Sequence, residues 1–153
     1  MATVRVAQSF DASVHEAETC WYDTSRWPSW VEGLEQVVAV DGDWPAVGSR
    51  VRWRSGPAGR GSVTETVVAH TPLAGQTVTV DDDSIRGRQS VSFTPVDAGV
   101  EVALALEYAI KRRSFITPLV DLLFIRRAMA ASLRATLMRF GAELTAARDS
   151  KLG

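Results

Sequence analysis

Apolar and polar positions alternate over residues 3–10, where Val4, Val6 and Phe10 oppose Arg5, Ala7 and Ser9. A period of two predicts a first strand. Ser13-Val14-His15-Glu16 follows with capping-box spacing, in which the Ser hydroxyl and the Glu carboxylate satisfy free amides at a helix start. Val14, Ala17 and Trp21, with Cys20 beside them, give that helix a short apolar stripe. Ser25 can cap a second short helix with Pro28 in its first turn, where a missing N–H costs little. The chain is therefore expected to break between 23 and 25.

From 34 to 110 the pattern is strand and turn. Residues 36–41 form one strand; Val47, Ser49, Val51 and Trp53 then alternate with Arg50, Arg52 and Arg54. Gly56-Pro57-Ala58-Gly59 is a turn by composition. Val63, Glu65 and Val67 alternate with Ser62, Thr64 and Thr66, and Val78 and Val80 follow Pro72 and Gly75. Asp81-Asp82-Asp83 reads as a solvated turn, and Ile85, Val91 and Phe93 mark the next strand. The last strand carries Val100, Val102, Leu104, Leu106, Tyr108 and Ile110 on one face. Short connections predict antiparallel neighbours, because parallel strands need long crossovers.

After 114 the period changes. Thr117-Pro118 suits an N-cap and first helical position. Leu119, Leu122, Met129, Leu133, Leu137, Phe140 and Leu144 follow at three- and four-residue steps, while Asp121, Ser132, Arg139 and Glu143 lie away from them. One strand, two short helices, about six strands and one long helix predict an α+β domain. A curved antiparallel sheet of about seven strands would wrap the long helix. The space between sheet and helix is where a ligand would sit. Residues 1–149 are assigned to this one domain and 150–153 to a tail.

Composition narrows the function classes. The chain has 153 residues, 46% of them hydrophobic, and a formal charge of −1. Of its 17 basic residues only Lys111 and Lys151 are lysine. One cysteine excludes an internal disulfide and a Cys-based zinc site. Two distant histidines leave little for a metal centre, so neither metal nor cofactor is expected. Near-neutral charge argues against a nucleic-acid partner, and no apolar run reaches membrane-spanning length, so stable membrane insertion is not expected. Without a signal-peptide pattern at the start, a cytoplasmic location is expected. All five Trp lie in the first third, at 21, 27, 30, 44 and 53.

Asp23-Thr24-Ser25-Arg26-Trp27-Pro28-Ser29-Trp30, after the first helix, resembles a segment of the START-like helix-grip superfamily, in its polyketide cyclase/dehydrase (SRPBCC) branch. Phe10-Asp11-Ala12, and the helix opening at Thr117-Pro118 and running through Arg126-Arg127, resemble the same branch. The likeness covers nearly the whole chain and is more specific for fold than for function. It implies a helix-grip fold with an internal hydrophobic cavity under the long helix. One departure is Ala17-Glu18, where members commonly carry an aromatic; Trp21 is the substitute at hand.

Few residues offer chemistry. His15 and His70 read as surface histidines, and Cys20 as a small hydrophobe with no base placed beside it. Glu65 shares the face of Val63 and Val67, so it would present a carboxyl to an apolar cavity, which suits general acid–base work. It could instead be exposed by a bulge, or pair with Arg. Arg126, at about 340° from Leu119 on a 100° helical wheel, falls on the apolar stripe. It could anchor a ligand oxygen, pair with Glu65, or extend to the cavity mouth. Tyr108 offers a hydroxyl from an apolar wall. The Trp27-Pro28-Ser29-Trp30 unit would close one end of the core, and one of its rings could also line a ligand site. Arg50, Arg52 and Arg54 read as a solvated sheet face.

The expected cavity residues are Trp53, Glu65, Val78, Val91, Phe93, Leu104, Leu106, Tyr108, Leu122, Arg126 and Met129. Binding of a small hydrophobic molecule such as a lipid, polyketide or aromatic metabolite is the leading expectation. A cyclase or dehydratase using Glu65 and Arg126 is an alternative, implied by the resemblance; no catalytic motif identifies it. A further alternative is an interaction module with a vestigial cavity, using the Arg row and the Trp27–Trp30 corner. A homodimer is compatible with each.

Overall fold

The computed structural model describes residues 1–57, 59–111 and 119–152, with side chains at all of these except 119, 120, 151 and 152. β1 (Ala2–Phe10) leads into α1 (Val14–Tyr22), a single 3-10 turn at Thr24–Arg26, and α2 (Trp27–Trp30). Six strands follow: β2 (Leu34–Asp41), β3 (Arg50–Ser55), β4 (Ser62–Thr71), β5 (Gly75–Asp81), β6 (Ile85–Val96) and β7 (Gly99–Ile110). The chain closes with α3 (Leu119–Leu152).

The strands form one antiparallel sheet in the order β1-β7-β6-β5-β4-β3-β2. Each hairpin neighbour in sequence is a neighbour in the sheet; β1 alone returns to pair with β7. One face is the core face, and the period of two sets it. Val51 and Trp53 on β3, Val63 and Val67 on β4, and Val78 and Val80 on β5 are all buried. On β7, Val100, Val102, Leu104, Leu106 and Tyr108 are buried on that face as well.

The first helix begins where the capping box places it, with reciprocal bonds between Ser13 Oγ and the Glu16 amide (3.0 Å) and between Glu16 Oε1 and the Ser13 amide (3.1 Å). Trp21 is buried in the core. Its ring lies 4.7 Å from that of Trp30 and 5.0 Å from that of Phe140, so α1, α2 and α3 meet in one aromatic cluster. The Trp27 indole N–H donates to the Trp21 carbonyl (2.8 Å), which fixes the corner between α1 and α2. α3 packs along β1, α1 and α2. Its approach to β1 is close enough that a Cβ on Gly141 would come within 2.7 Å of the Phe10 ring.

Several expectations change. Val47 is 64% exposed, because the chain turns over Asp43–Ser49 and β3 starts only at Arg50. Asp82 is not solvated. It is 2% exposed, accepts from the Ser84 and Ile85 amides (2.7 and 2.8 Å), and pairs with Arg60. A short acid run in a turn can bury the one member that satisfies turn amides. Glu143, expected away from the apolar stripe, is nonetheless buried, in an ion pair with Arg26. His70 is half-buried against Tyr22, with ring centroids 5.4 Å apart. The helix runs through Leu152, so 150–152 continue it instead of forming a separate tail. Thr117-Pro118 lies outside the described residues.

Candidate functional site

A cavity of about 50 Å³ lies between the core face of the sheet and the middle of α3. Trp53 on β3, Glu65 on β4, Val80 on β5, Gln89 on β6 and Leu104 on β7 form its floor. Trp21, Trp27 and Trp30 wall one end, and Ser132, Leu133 and Thr136 of α3 cover it. Val31, Glu32 and Arg60 complete the lining.

The floor carries an acid because antiparallel register puts it there. Glu65 pairs with Val51 on one side and Val80 on the other, so it shares their inward face. Trp53 lies one diagonal step away, and its indole N–H donates to Glu65 Oε2 at 2.6 Å. Glu65 keeps some accessible area because it borders the cavity, yet burial raises its carboxyl above the ordinary carboxylate range. The Trp53 hydrogen bond and the Arg60 charge only partly offset this. The direction follows from desolvation, which penalises the charged form.

Arg60 comes from the β3–β4 connection. Its Nε donates to Asp82 Oδ2 at 2.6 Å, and its guanidinium carbon lies 5.4 Å from the centre of the Trp53 ring. Asp82, held by two backbone amides, thus sets the guanidinium over the indole, a favourable stacking arrangement for arginine. Arg60 Nη2 and Trp30 Nε1 are buried and have no protein acceptor among the described residues. Trp30 is 1% exposed. Buried donors are nearly always paired, so a cavity bordered by two such residues is suited to an oxygen acceptor. At the α3 rim the Glu32 amide donates to Thr136 Oγ1 (3.0 Å), and Ser132 Oγ donates to the Glu32 carboxylate (3.3 Å). These bonds tie α3 to the α2–β2 connection at the edge of the cavity.

Of the expected cavity residues, the structure brings Trp53, Glu65 and Leu104 to the void. Val78, Val91, Phe93, Leu106 and Tyr108 are buried on the same sheet face but pack elsewhere in the core. Burial raises the Tyr108 phenol, and the Arg126 charge opposes that. Leu122 and Met129 are half-buried on α3. Arg126 is exposed and lines a separate surface groove with Arg5, Arg127 and Arg134. The wheel put it on the apolar stripe, but no residue of that stretch of α3 is buried, so the side chain is not enclosed. The interaction corner also changes: Trp27 and Trp30 are buried, Arg54 bonds Gln36, and Arg52 faces Asp41.

The expected cavity set lacked Arg60, Gln89 and Val80 on the sheet side, and Trp21, Val31, Glu32, Ser132, Leu133 and Thr136 among the walls and cover. Arg60 sits between Gly59 and Gly61 in a turn, where no periodicity reports which way a side chain points. Val80 and Gln89 had a usable signal, since each shares strand parity with a named residue, Val78 and Val91.

The model for polyketide cyclase / dehydrase and lipid transport proteins matches residues 1–145. The chain belongs to this family. Solved structures agree on the fold. A START superfamily protein from Mycobacterium smegmatis superposes with a TM-score of 0.76 at 11% identity, covering 94% of this chain and 97% of that one. A protein from Thermus thermophilus gives 0.77 at 17% identity, covering 95% and 99%. The di-domain ARO/CYC StfQ from the steffimycin biosynthetic pathway gives 0.77 at 16% identity, covering 96% of this chain and 52% of that one. No curated protein sequence matches significantly. The helix-grip α+β architecture is therefore that of the START-like proteins, and the family suggests hydrophobic-ligand binding or cyclase-type activity. Among the described residues no helix is long and apolar enough to cross a membrane.

Proposed function

We propose that this chain binds a small, mainly apolar molecule between sheet and α3, with an oxygen of the ligand held at the Glu65–Arg60–Trp30 end. The observation that carries this reading is the placement of a raised carboxyl and two buried, acceptor-less donors around one void. Water-sized atoms need roughly 10–15 Å³ each, so about 50 Å³ takes only a few of them. That suits the polar end of a ligand. Its apolar body must displace Leu133 and the covering part of α3. No residue from Asp121 to Ser132 is buried, so that stretch is the part of the cover with least to lose on moving.

The test is quenching of the cavity tryptophans by a panel of two-ring aromatics and medium-chain fatty acids, with native mass spectrometry to count bound molecules. Leu133→Trp should fill the void and abolish binding while the protein stays folded. Wild-type affinity in that variant would remove the cavity as the site.

A second reading has its own support. A carboxyl kept protonated in an apolar site can deliver a proton to a ligand oxygen. Glu65 with Arg60, in place of the expected pair of Glu65 with Arg126, would serve a cyclase- or dehydratase-type reaction. Turnover of a poly-keto substrate that survives Glu65→Gln unchanged would exclude it.

A further inference from the structure

The outward face of α3 has a composition unlike an ordinary solvated helix. From Leu122 to Ala142 the sequence contains four arginines and no acidic residue. Taken at 100° per residue, Leu123, Arg127, Ala131, Arg134, Met138 and Phe124 fall within a sector of about 100°. Leu123, Phe124 and Met138 are 50%, 72% and 66% exposed. Arg127 and Arg134 lie inside that sector, and Arg126 and Arg139 flank it about 60° beyond its two edges. All four are exposed, and among the described residues none has an ion-pair partner. β1, packed beside this face, contributes Arg5 and no acid. The acids of α3 bracket the stretch. Asp121 stands before it, and Glu143 after it is buried with Arg26. Glu32, on the inner side, is engaged by Ser132. The chain's near-neutral total charge thus conceals a local cationic and apolar stripe about 22 Å long.

We infer that this face of α3 docks on the surface of an anionic lipid bilayer, with the guanidinium groups at the phosphates and Leu123, Phe124 and Met138 entering the acyl boundary. Arginines beside exposed apolar side chains on one helix are what an interfacial helix requires. Guanidinium groups match phosphate oxygens in geometry and charge. A lipid surface is favoured over an acidic protein because the apolar side chains are spread along the helix between arginines. A protein partner draws its energy from a packed central cluster, whereas fluid lipid moulds around separated side chains. The inference stands on the outer face of α3 and is independent of what the cavity holds.

Flotation of the full chain with phosphatidylcholine vesicles, with and without about one third phosphatidylserine, tests it. Binding is expected only with phosphatidylserine and should fall steeply as salt is raised. Arg127→Ala with Arg134→Ala should weaken binding on the order of 20-fold, at about fivefold per arginine near an anionic surface. Phe124→Ser, which keeps the charge, should weaken it several-fold. Arg50→Ala with Arg88→Ala removes the same charge from the sheet and should leave binding unchanged, with circular dichroism confirming that each variant is folded. No phosphatidylserine-dependent binding, or an equal loss in the sheet variant, overturns the inference. Equally tight binding to soluble polyglutamate that is indifferent to Phe124→Ser would overturn it in favour of an acidic protein partner.

Discussion

The two halves of α3 are continuous in sequence pattern and differ in what they touch. Leu133, Thr136, Leu137, Phe140, Glu143 and Leu144 are buried, whereas no residue from Asp121 to Ser132 is. The later half lies in the aromatic cluster, with the Phe140 ring 4.9 Å from Trp30, 5.0 Å from Trp21 and 5.6 Å from Phe10. The earlier half carries the same apolar stripe through Leu122, Ile125 and Met129, but all three are only half-buried. An apolar stripe therefore says that a helix has something to bury, and not how much its surroundings supply. Here α1 and α2 supply a partner at one end alone, and the cavity lies where the anchored half gives way to the covering half.

The sharpest way to break this contrast is a matched pair of truncations. Phe140→Ala should cost about 3–5 kcal/mol in a denaturant melt, as expected for an enclosed aromatic. Met129→Ala should cost no more than about 2 kcal/mol, because its site is already half open. Equal losses would mean that the two halves are anchored alike. Amide hydrogen exchange should next show weaker protection over 121–130 than over 133–144, since local opening follows the lack of buried contact. A protein protected uniformly along α3 would contradict the covering role given to its first half.

Glu65, at the junction, gives a smaller effect with a definite sign. Its folded carboxyl is raised above the ordinary value of 4.5, so the folded state binds the proton more tightly than the unfolded state. Stability from this group is complete below the unfolded value, falls as pH rises from there through the folded value, and then levels off. Glu65→Gln keeps an oxygen for the Trp53 indole and removes that fall. The variant should gain on the wild type as pH rises from about 4.5, measured by parallel melts. A constant difference across that range would mean that Glu65 does not titrate in a buried setting. The smallest effect should be that of Leu123→Ser, within about 0.5 kcal/mol, because the side chain is exposed. A larger loss would show that the first half of α3 is held more firmly than its burial indicates.

Much of the fold was legible because its signals are local. The capping box at Ser13–Glu16, the parity of Val51 and Trp53, and the long alternation of β7 each report on a backbone period that needs no distant partner. Glu65 was legible for the same reason. Arg60 was not, since a turn flanked by glycines has no period, and its position depends on Asp82, which the acid run disguised as solvated. Arg126 was expected on the apolar stripe facing the cavity and is exposed, because whether a helix face is covered depends on which elements lie opposite it.

By itself, then, the sequence determined the order and type of the elements, the inward face of most strands, and the aromatic segment that carries the family likeness. Those follow from side-chain periodicity and from capping, which act over a few residues. Only the tertiary structure decided where the core is filled and where it is left open. That choice depends on which side chains from distant segments arrive at one place. Trp30, Trp53, Arg60, Glu65 and Leu133 come from five different elements or connections, and no period along the chain relates them.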